Sequence, residues 1–277
     1  SGSLNLSDAL TRTYPSLEVT PRGHNTNALT SFIEMRGLDP NEVLVLVDGK
    51  RRHSTANIVQ KSGPEFASSS VDLNMIPANA IDHIEILEDG AAAMYGSDAI
   101  AGVVNVITKK QDHGLTVSSQ TGANAYNGDG WGYQFNADGG MKLGRDGYIH
   151  LSGQVYHTDH MVALTTDHGM MGSWPAGADS SGYYAGVVPG AKANTGKVNN
   201  YTNTPEETRE NLAITFGKPI TDKLEFYGQI MYAHRHAEIL EGYEYPDTDW
   251  PSAAIQKFSG GVEPITQIDE NDYSATL

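Results

Sequence analysis

The side chains best suited to chemistry in this chain are its histidines: ten occur among 277 residues, with no cysteine. His157, Asp159, His160 and His168 cluster in one stretch, and His234 and His236 lie two apart in another. Two histidines separated by one strand residue point to the same face, a spacing that can grip a divalent ion. Loop histidines are more often solvated than ligating, and nothing in the sequence supplies the outer partners that would orient the rings. The chain is therefore read as holding no resident metal or other cofactor, with His157, His160, His234 and His236 as the residues that would carry a metal site. Catalysis has less support. There is no Gly-rich loop ending in Lys-Ser/Thr, no Gly-x-Ser-x-Gly elbow and no His-Glu-x-x-His pair. Without cysteine there is no thiolate chemistry. Asp48 and Asp72 come nearest to a carboxylate pair, but turn chemistry accounts for each, so the chain is read as a non-enzyme. Tyr243, Tyr245, Asp247, Asp249 and Trp250 form an aromatic and acidic stretch suited to stacking on sugars or aromatic chelates, or to packing its own loop.

The elements that would carry these residues show a period of two. Trp131, Tyr133, Phe135, Ala137 and Gly139 alternate with Gly132, Gln134, Asn136, Asp138 and Gly140. Ile149 to Tyr156, Leu212 to Phe216 and Leu224 to Ala233 repeat the pattern, and Leu115 to Thr121 is a weaker copy. Alternation of this kind gives a strand with one apolar and one polar face. Five strands are expected after Lys110. Tight turns are expected at Gly144 to Gly147 and Lys218 to Asp222, whereas Met161 to Pro205 and the stretch after Ala237 are long joins. A soluble antiparallel sandwich also has one apolar face. Short turns at one end, long loops at the other, and Trp131, Tyr156 and Tyr232 near the long-loop ends favour a transmembrane barrel with its short turns in the periplasm.

Composition sets bounds on this reading. Mean hydropathy is -0.40, and no apolar run approaches the ~18 residues of a membrane helix. Alternating barrel strands average to such a value without contradiction. Net charge is -16. Residues 1–110 carry 9 Lys and Arg against 13 Asp and Glu, while residues 111–277 carry 9 against 21. That balance repels nucleic acid, whose binding needs phosphate neutralisation. No signal peptide is visible at Ser1, so a removed leader or a fragment is expected.

The stretch from Phe32 to Lys110 differs in texture. It holds Met35-Arg36-Gly37, the apolar run Val43 to Val47 closed by Asp48-Gly49, the Ile84-Glu85-Ile86-Leu87 string, and Tyr95-Gly96-Ser97-Asp98 running on to Gly102 and Val103-Val104-Asn105-Val106-Ile107. Val43 to Val47 reads as a strand buried on both faces. Ile81 to Ile86 and Val103 to Ile107 read as two more strands, and Ala91 to Met94 as a short helix. Gly96 and Gly102 sit where backbone must turn or closely approach another surface. An ordinary soluble α/β domain would show the same elements.

In this order and spacing, these strings resemble the plug domain of TonB-dependent outer-membrane transporters. The resemblance implies an α+β plug at 1–110, a small mixed sheet with short helices whose N-terminal part is missing. It also implies that 111–277 forms about the first five antiparallel transmembrane strands of a larger plugged barrel of about 22 strands. An open edge in lipid would leave backbone groups unpaired. The family's energy-coupling box lies upstream of the plug, and the chain begins too close to Asp8-Ala9-Leu10 to contain it.

The function implied by the resemblance is import without bond-making, across the outer membrane of a Gram-negative bacterium. A scarce small molecule or metal chelate binds extracellular loops and plug apices, and the TonB energy-coupling complex pulls on the plug from the periplasm. By position in the motif, Arg22, His24, Asn25, His53 and Asn57 face the ligand. Arg36 inherits the role of locking the plug to barrel carboxylates, with Glu85 as a neighbouring partner, since a guanidinium that leaves water needs a bidentate acid. Gly37, Asp48, Gly49, Tyr95, Gly96, Gly102 and Asn105 are the structural residues of the motif. One departure stands out: where many members place a second arginine after the Ile-Glu strand, this chain has Glu88 followed by Asp89-Gly90. Family frequency puts a ferric siderophore first as ligand and a carbohydrate second. A non-transporting β-rich surface adhesion module is the remaining alternative.

Overall fold

Val43–Val47 (β3) has no polar side chain, and all five of its residues are buried. Val43, Val45 and Val47 pack with Ile33, Met35, Val71 and Leu73. Leu44 and Leu46 turn to the other face, against Ala99 and Val103. A strand covered on both sides is what an unbroken β-branched run requires. In this computed structural model the described residues are 10, 14, 16–19, 26–58, 67–88, 91–123, 130–160, 164–166, 197–199, 205–221, 223–240 and 265–277.

A first pair, Leu17–Glu18 (β1) and Glu34–Met35 (β2), precedes β3 and is antiparallel. Around β3, the strands Lys50–Arg51 (β4), Ile81–Leu87 (β5) and Gly102–Thr108 (β6) complete a four-stranded mixed sheet in the order β4-β3-β6-β5. β3 and β6 are parallel, while β5 and β4 pair antiparallel to their neighbours. The helix Ala91–Tyr95 (α1) lies between β5 and β6. Asp48 and Gly49 both take positive φ, 48° and 76°, as an Asp-Gly hairpin turn demands. That turn is bolted to β6. The Asp48 carboxylate accepts the Thr108 amide at 3.1 Å, and Asn105 Oδ1 accepts the Gly49 amide at 2.9 Å.

The second body is one antiparallel sheet. Its strands are Leu115–Gly122 (β7), Gly132–Leu143 (β8), Gly147–Thr158 (β9), Glu206–Thr221 (β12), Leu224–Leu240 (β13) and Ile265–Thr276 (β14), and they run in the order β14-β13-β12-β9-β8-β7. A small pair, Leu164–Thr166 (β10) and Lys197–Asn199 (β11), sits within the long join between β9 and β12. Alternation in the sequence picks out five strands, whereas the sheet has six. The one it misses is β14. Its outward positions Gln267, Asp269 and Asn271 are polar, so the apolar stripe begins only at Tyr273. Tyr156, at the long-loop end of β9, points inward with the polar face on which alternation puts it, under the Arg209 guanidinium at 4.8 Å from its ring centroid.

The sheet is inside-out. Gln134, Asp138, His150, Ser152, Gln154, Asn211, Thr215 and Gln229 are buried, whereas Val117, Phe135, Leu212, Phe226 and Ile230 are exposed. A soluble sandwich would invert that, and the profile is that of a barrel wall with a polar interior. Its inner face is pressed against the first body, so that Ala213 and Met231 join the β3 core and Leu29 packs on Ala237 and Ile239.

Gly102 is fixed by contact as well as by conformation. Its φ is +149°, and a Cβ there would sit 2.7 Å from the Leu87 carbonyl oxygen and closer still to Met35 Sδ. Gly102→Ala is expected to destabilise the protein by about 2 kcal/mol or more through overpacking and strain. Gly153→Ala, where no atom lies within 4 Å, should be near neutral. The thermal transition of the detergent-solubilised protein compares the two directly.

Candidate functional site

The site grows from one cation. Arg235 lies on the inner face of β13 and is 0% exposed. Its Nη1 donates to the Leu29 carbonyl at 2.7 Å and to Asp72 Oδ2 at 2.8 Å. Its Nη2 donates to Glu270 Oε2, and Glu207 lies 3.9 Å away. Cross-strand register explains the grouping, because Arg235 stands opposite Glu270 on β14 and opposite Arg209 on β12. Arg209 in turn donates to Glu207 at 2.8 Å. Two buried guanidinium groups side by side repel unless carboxylates intervene, and three of them do. Asp72 is held for the task by its second oxygen, which accepts the amides of Ser31 and Asn74, each at 3.0 Å.

A second group from the first body reaches β14 nearby. Arg52, buried, donates to Asp272 Oδ1. His53 Nε2 lies 2.8 Å from Asp272 Oδ2, and the Thr55 hydroxyl donates to Glu270 Oε1 at 2.7 Å. Burial pulls the Arg52 guanidinium below its ordinary range, and the Asp272 carboxylate beside it opposes that pull. Neutral contacts continue along the wall. Asn211 donates to the Asn74 carbonyl at 2.9 Å and Gln229 to the Val47 carbonyl at 3.3 Å, while Asn79 donates to the carbonyls of Ala137 and Gly153, both at 3.0 Å. Lys109 meets Asp138 at 3.1 Å, where β6 leaves for the wall. The arrangement clamps one body inside the curve of another.

Residues 1–103 match the family model described as the TonB-dependent receptor plug domain. This segment is similar to a TonB-dependent receptor plug. Solved structures agree on the fold of plug and wall together. The chain matches a double mutant of the ferric enterobactin receptor from Pseudomonas aeruginosa at TM-score 0.59 and 22% identity, over 98% of this chain and 35% of that one. A second mutant of that receptor, in complex with enterobactin, matches at TM-score 0.61 and 21% identity, over 98% and 36%. The siderophore receptor PirA from Acinetobacter baumannii gives 0.60 and 21%, over 98% and 34%. The chain therefore spans about a third of the length of these receptors.

Against the geometry of the receptor plug, the sequence-named residues fall into distinct places. Arg22, His24 and Asn25 lie outside the described residues, as do His168 and the Tyr243 to Trp250 stretch. His53 sits on a barrel carboxylate, and the Asn57 amide donates to Thr55 Oγ1 at 3.2 Å. Arg36, exposed and at φ 59°, donates to the Glu88 carbonyl at 3.1 Å. Glu85 accepts from Asn105 at 2.8 Å within the plug sheet. Among the described residues, the buried arginine–carboxylate pairs that join plug to wall are Arg235 with Asp72 and Arg52 with Asp272. Gly37 and Gly96 take the positive φ of turn glycines, and Tyr95 closes α1.

The histidines expected at the rim stand on the outer face with local partners. His157 lies 2.8 Å from Thr208 and 3.0 Å from Asp159, and His160 lies 3.2 Å from Glu206. His234 and His236 face Asn271 and Asp269. β12 separates the two pairs, a gap of about 9–10 Å at normal strand spacing. Among the described residues no group of three or more potential ligands forms a metal site.

Sequence reasoning missed Arg235, Arg52, Glu207, Glu270 and Asp272. The available signal was a charged residue at an inward position of an alternating strand, as with Arg235 among Met231, Ala233 and Ala237. Arg235→Met leaves Asp72, Glu207 and Glu270 facing one another without their shared cation. It is expected to destabilise the assembly by roughly 3–5 kcal/mol. Arg235→Lys should recover only part of that, because a single ammonium cannot fork between carboxylates. Thermal transitions in detergent give the comparison.

Proposed function

We propose that this chain forms the plug and opening barrel wall of an outer-membrane receptor that imports a ferric siderophore, with TonB supplying the energy from the periplasm. The observation that carries the reading is the inverted sheet clamped on a plug by buried ions. An apolar outer face suits lipid, and a polar inner face suits a plug that must be moved rather than fused in place. On this reading residues 1–110 are the plug and 111–277 the wall, with the tight turns in the periplasm and the long joins outside the cell. The receptor makes and breaks no covalent bond. His53, with its side chain 46% exposed, is the described apical residue best placed to meet ligand while holding the wall. Arg22, His24, Asn25 and Asn57 share the ligand-facing role, and Arg36 with Glu85 steadies the plug's own strands. Siderophore is favoured over sugar because the solved structures of the same fold include a receptor in complex with enterobactin.

Cells expressing the whole receptor should accumulate radioactive iron supplied as ferric enterobactin or another ferric siderophore, and should stop when the proton gradient is collapsed. Uptake of labelled oligosaccharide instead would move the assignment to a carbohydrate importer, and retention at the surface without entry to an adhesion module. Lipid embedding has its own test. Ile230→Lys, on the outer face, should cost roughly 2–4 kcal/mol if the residue lies near mid-bilayer. Folding titrations into phospholipid vesicles measure that loss.

A further inference from the structure

Two carboxylates of β14 each hold two partners. Glu270 gives Oε1 to the Thr55 hydroxyl at 2.7 Å and Oε2 to Arg235. Asp272 gives Oδ2 to His53 at 2.8 Å and Oδ1 to Arg52. In both cases one oxygen holds an arginine and the other holds a side chain of the plug loop that begins at His53. Among the described residues, each arginine also keeps one buried N–H without a hydrogen-bond partner, Nε of Arg235 and Nη1 of Arg52. Buried donors of this kind are costly, and a side-on guanidinium pairs best with both oxygens of one carboxylate.

We propose that Glu270 is a relay residue, through which displacement of the loop at Thr55 loosens the plug's anchor at Asp72. When Thr55 withdraws, Glu270 Oε1 loses its donor in a largely buried site. The nearest replacement is the unpartnered Nε of Arg235, and turning toward Glu270 draws that guanidinium away from Asp72. Withdrawal of His53 frees Asp272 Oδ2 for Nη1 of Arg52, an exchange within a second plug–wall pair that does not touch Asp72. The neighbouring charges do not cancel the effect, since Glu207 is already engaged by Arg209 at 2.8 Å. Asp72 organises the backbone around it by accepting the amides of Ser31 and Asn74, so loosening it frees the turn Leu73–Met75. The inference rests on the transport reading for its purpose, because ligand arriving at His53 is what would move the loop. The relay itself is a property of the folded chain.

Amide hydrogen exchange of the intact receptor in detergent tests it without ligand. Thr55→Val, alone and with His53→Gln, should speed exchange of the amides at residues 73–76 and at Ser31 by about tenfold. Thr55→Ser, which keeps the hydroxyl, should leave them at the parent rate. Faster exchange confined to residues 53–58, or a serine variant as perturbed as the valine one, overturns the relay. Iron uptake from ferric enterobactin by cells carrying the same variants separates the two ideas. Coupled exchange without uptake in the parent supports the relay and removes the transport reading, whereas uptake with uncoupled exchange removes the relay alone.

Discussion

A guanidinium that has left water must find its counter-charges wherever the chain can bring them, and Arg235 finds them on two separate bodies. Asp72 comes from the plug, 163 residues away in sequence, and Glu270 from the adjoining strand of the wall. Removal of any one leaves a charge in a place that cannot solvate it, so plug and wall are stable mainly in each other's presence. The arrangement also orders assembly. Contacts this distant in sequence carry a large loop-closure entropy, so the local hairpins β8-β9 and β12-β13 can form before the plug is captured.

The polar inner face obeys the same constraint. A wall of apolar side chains against the plug would make one continuous core, strong but without a way to part. Hydrogen bonds from Asn79, Asn211 and Gln229 across the boundary can be exchanged for water at little net cost. Ion pairs supply specificity of seating, and the small apolar contact through Ala213 and Met231 supplies adhesion. The outer face is left to the apolar residues, which is the reverse of a water-soluble sheet and the reason that alternation alone could not say which side was in.

Most of the plug sheet was legible. β3 announces itself by an apolar run with a turn at its end, and β5 and β6 by short β-branched strings in fixed order. β8, β9, β12 and β13 were legible from period-two alternation because lipid-type and plug-type residues differ sharply along them. β14 was not, since its outward positions Gln267, Asp269 and Asn271 are polar, although it carries Glu270 and Asp272. The histidines drew attention through a metal-like spacing, but adjacent positions on β9 and β13 are kept apart by β12. Arg36 drew attention through its motif, yet among the described residues the buried arginines are Arg52, Arg209 and Arg235, which belong to no motif named from the sequence.

Local pattern thus determined most of the segments that became strands, which turns were tight, and which family's plug the first segment resembles, because alternation, β-branching and Asp-Gly turns act over a few residues. Which charges meet was decided only by tertiary structure. Strand register sets Arg235 opposite Glu270, and the seating of the plug brings Asp72 and Arg52 to that wall. Residues this far apart in sequence are matched by three-dimensional closure, and no local signal in the chain encodes it.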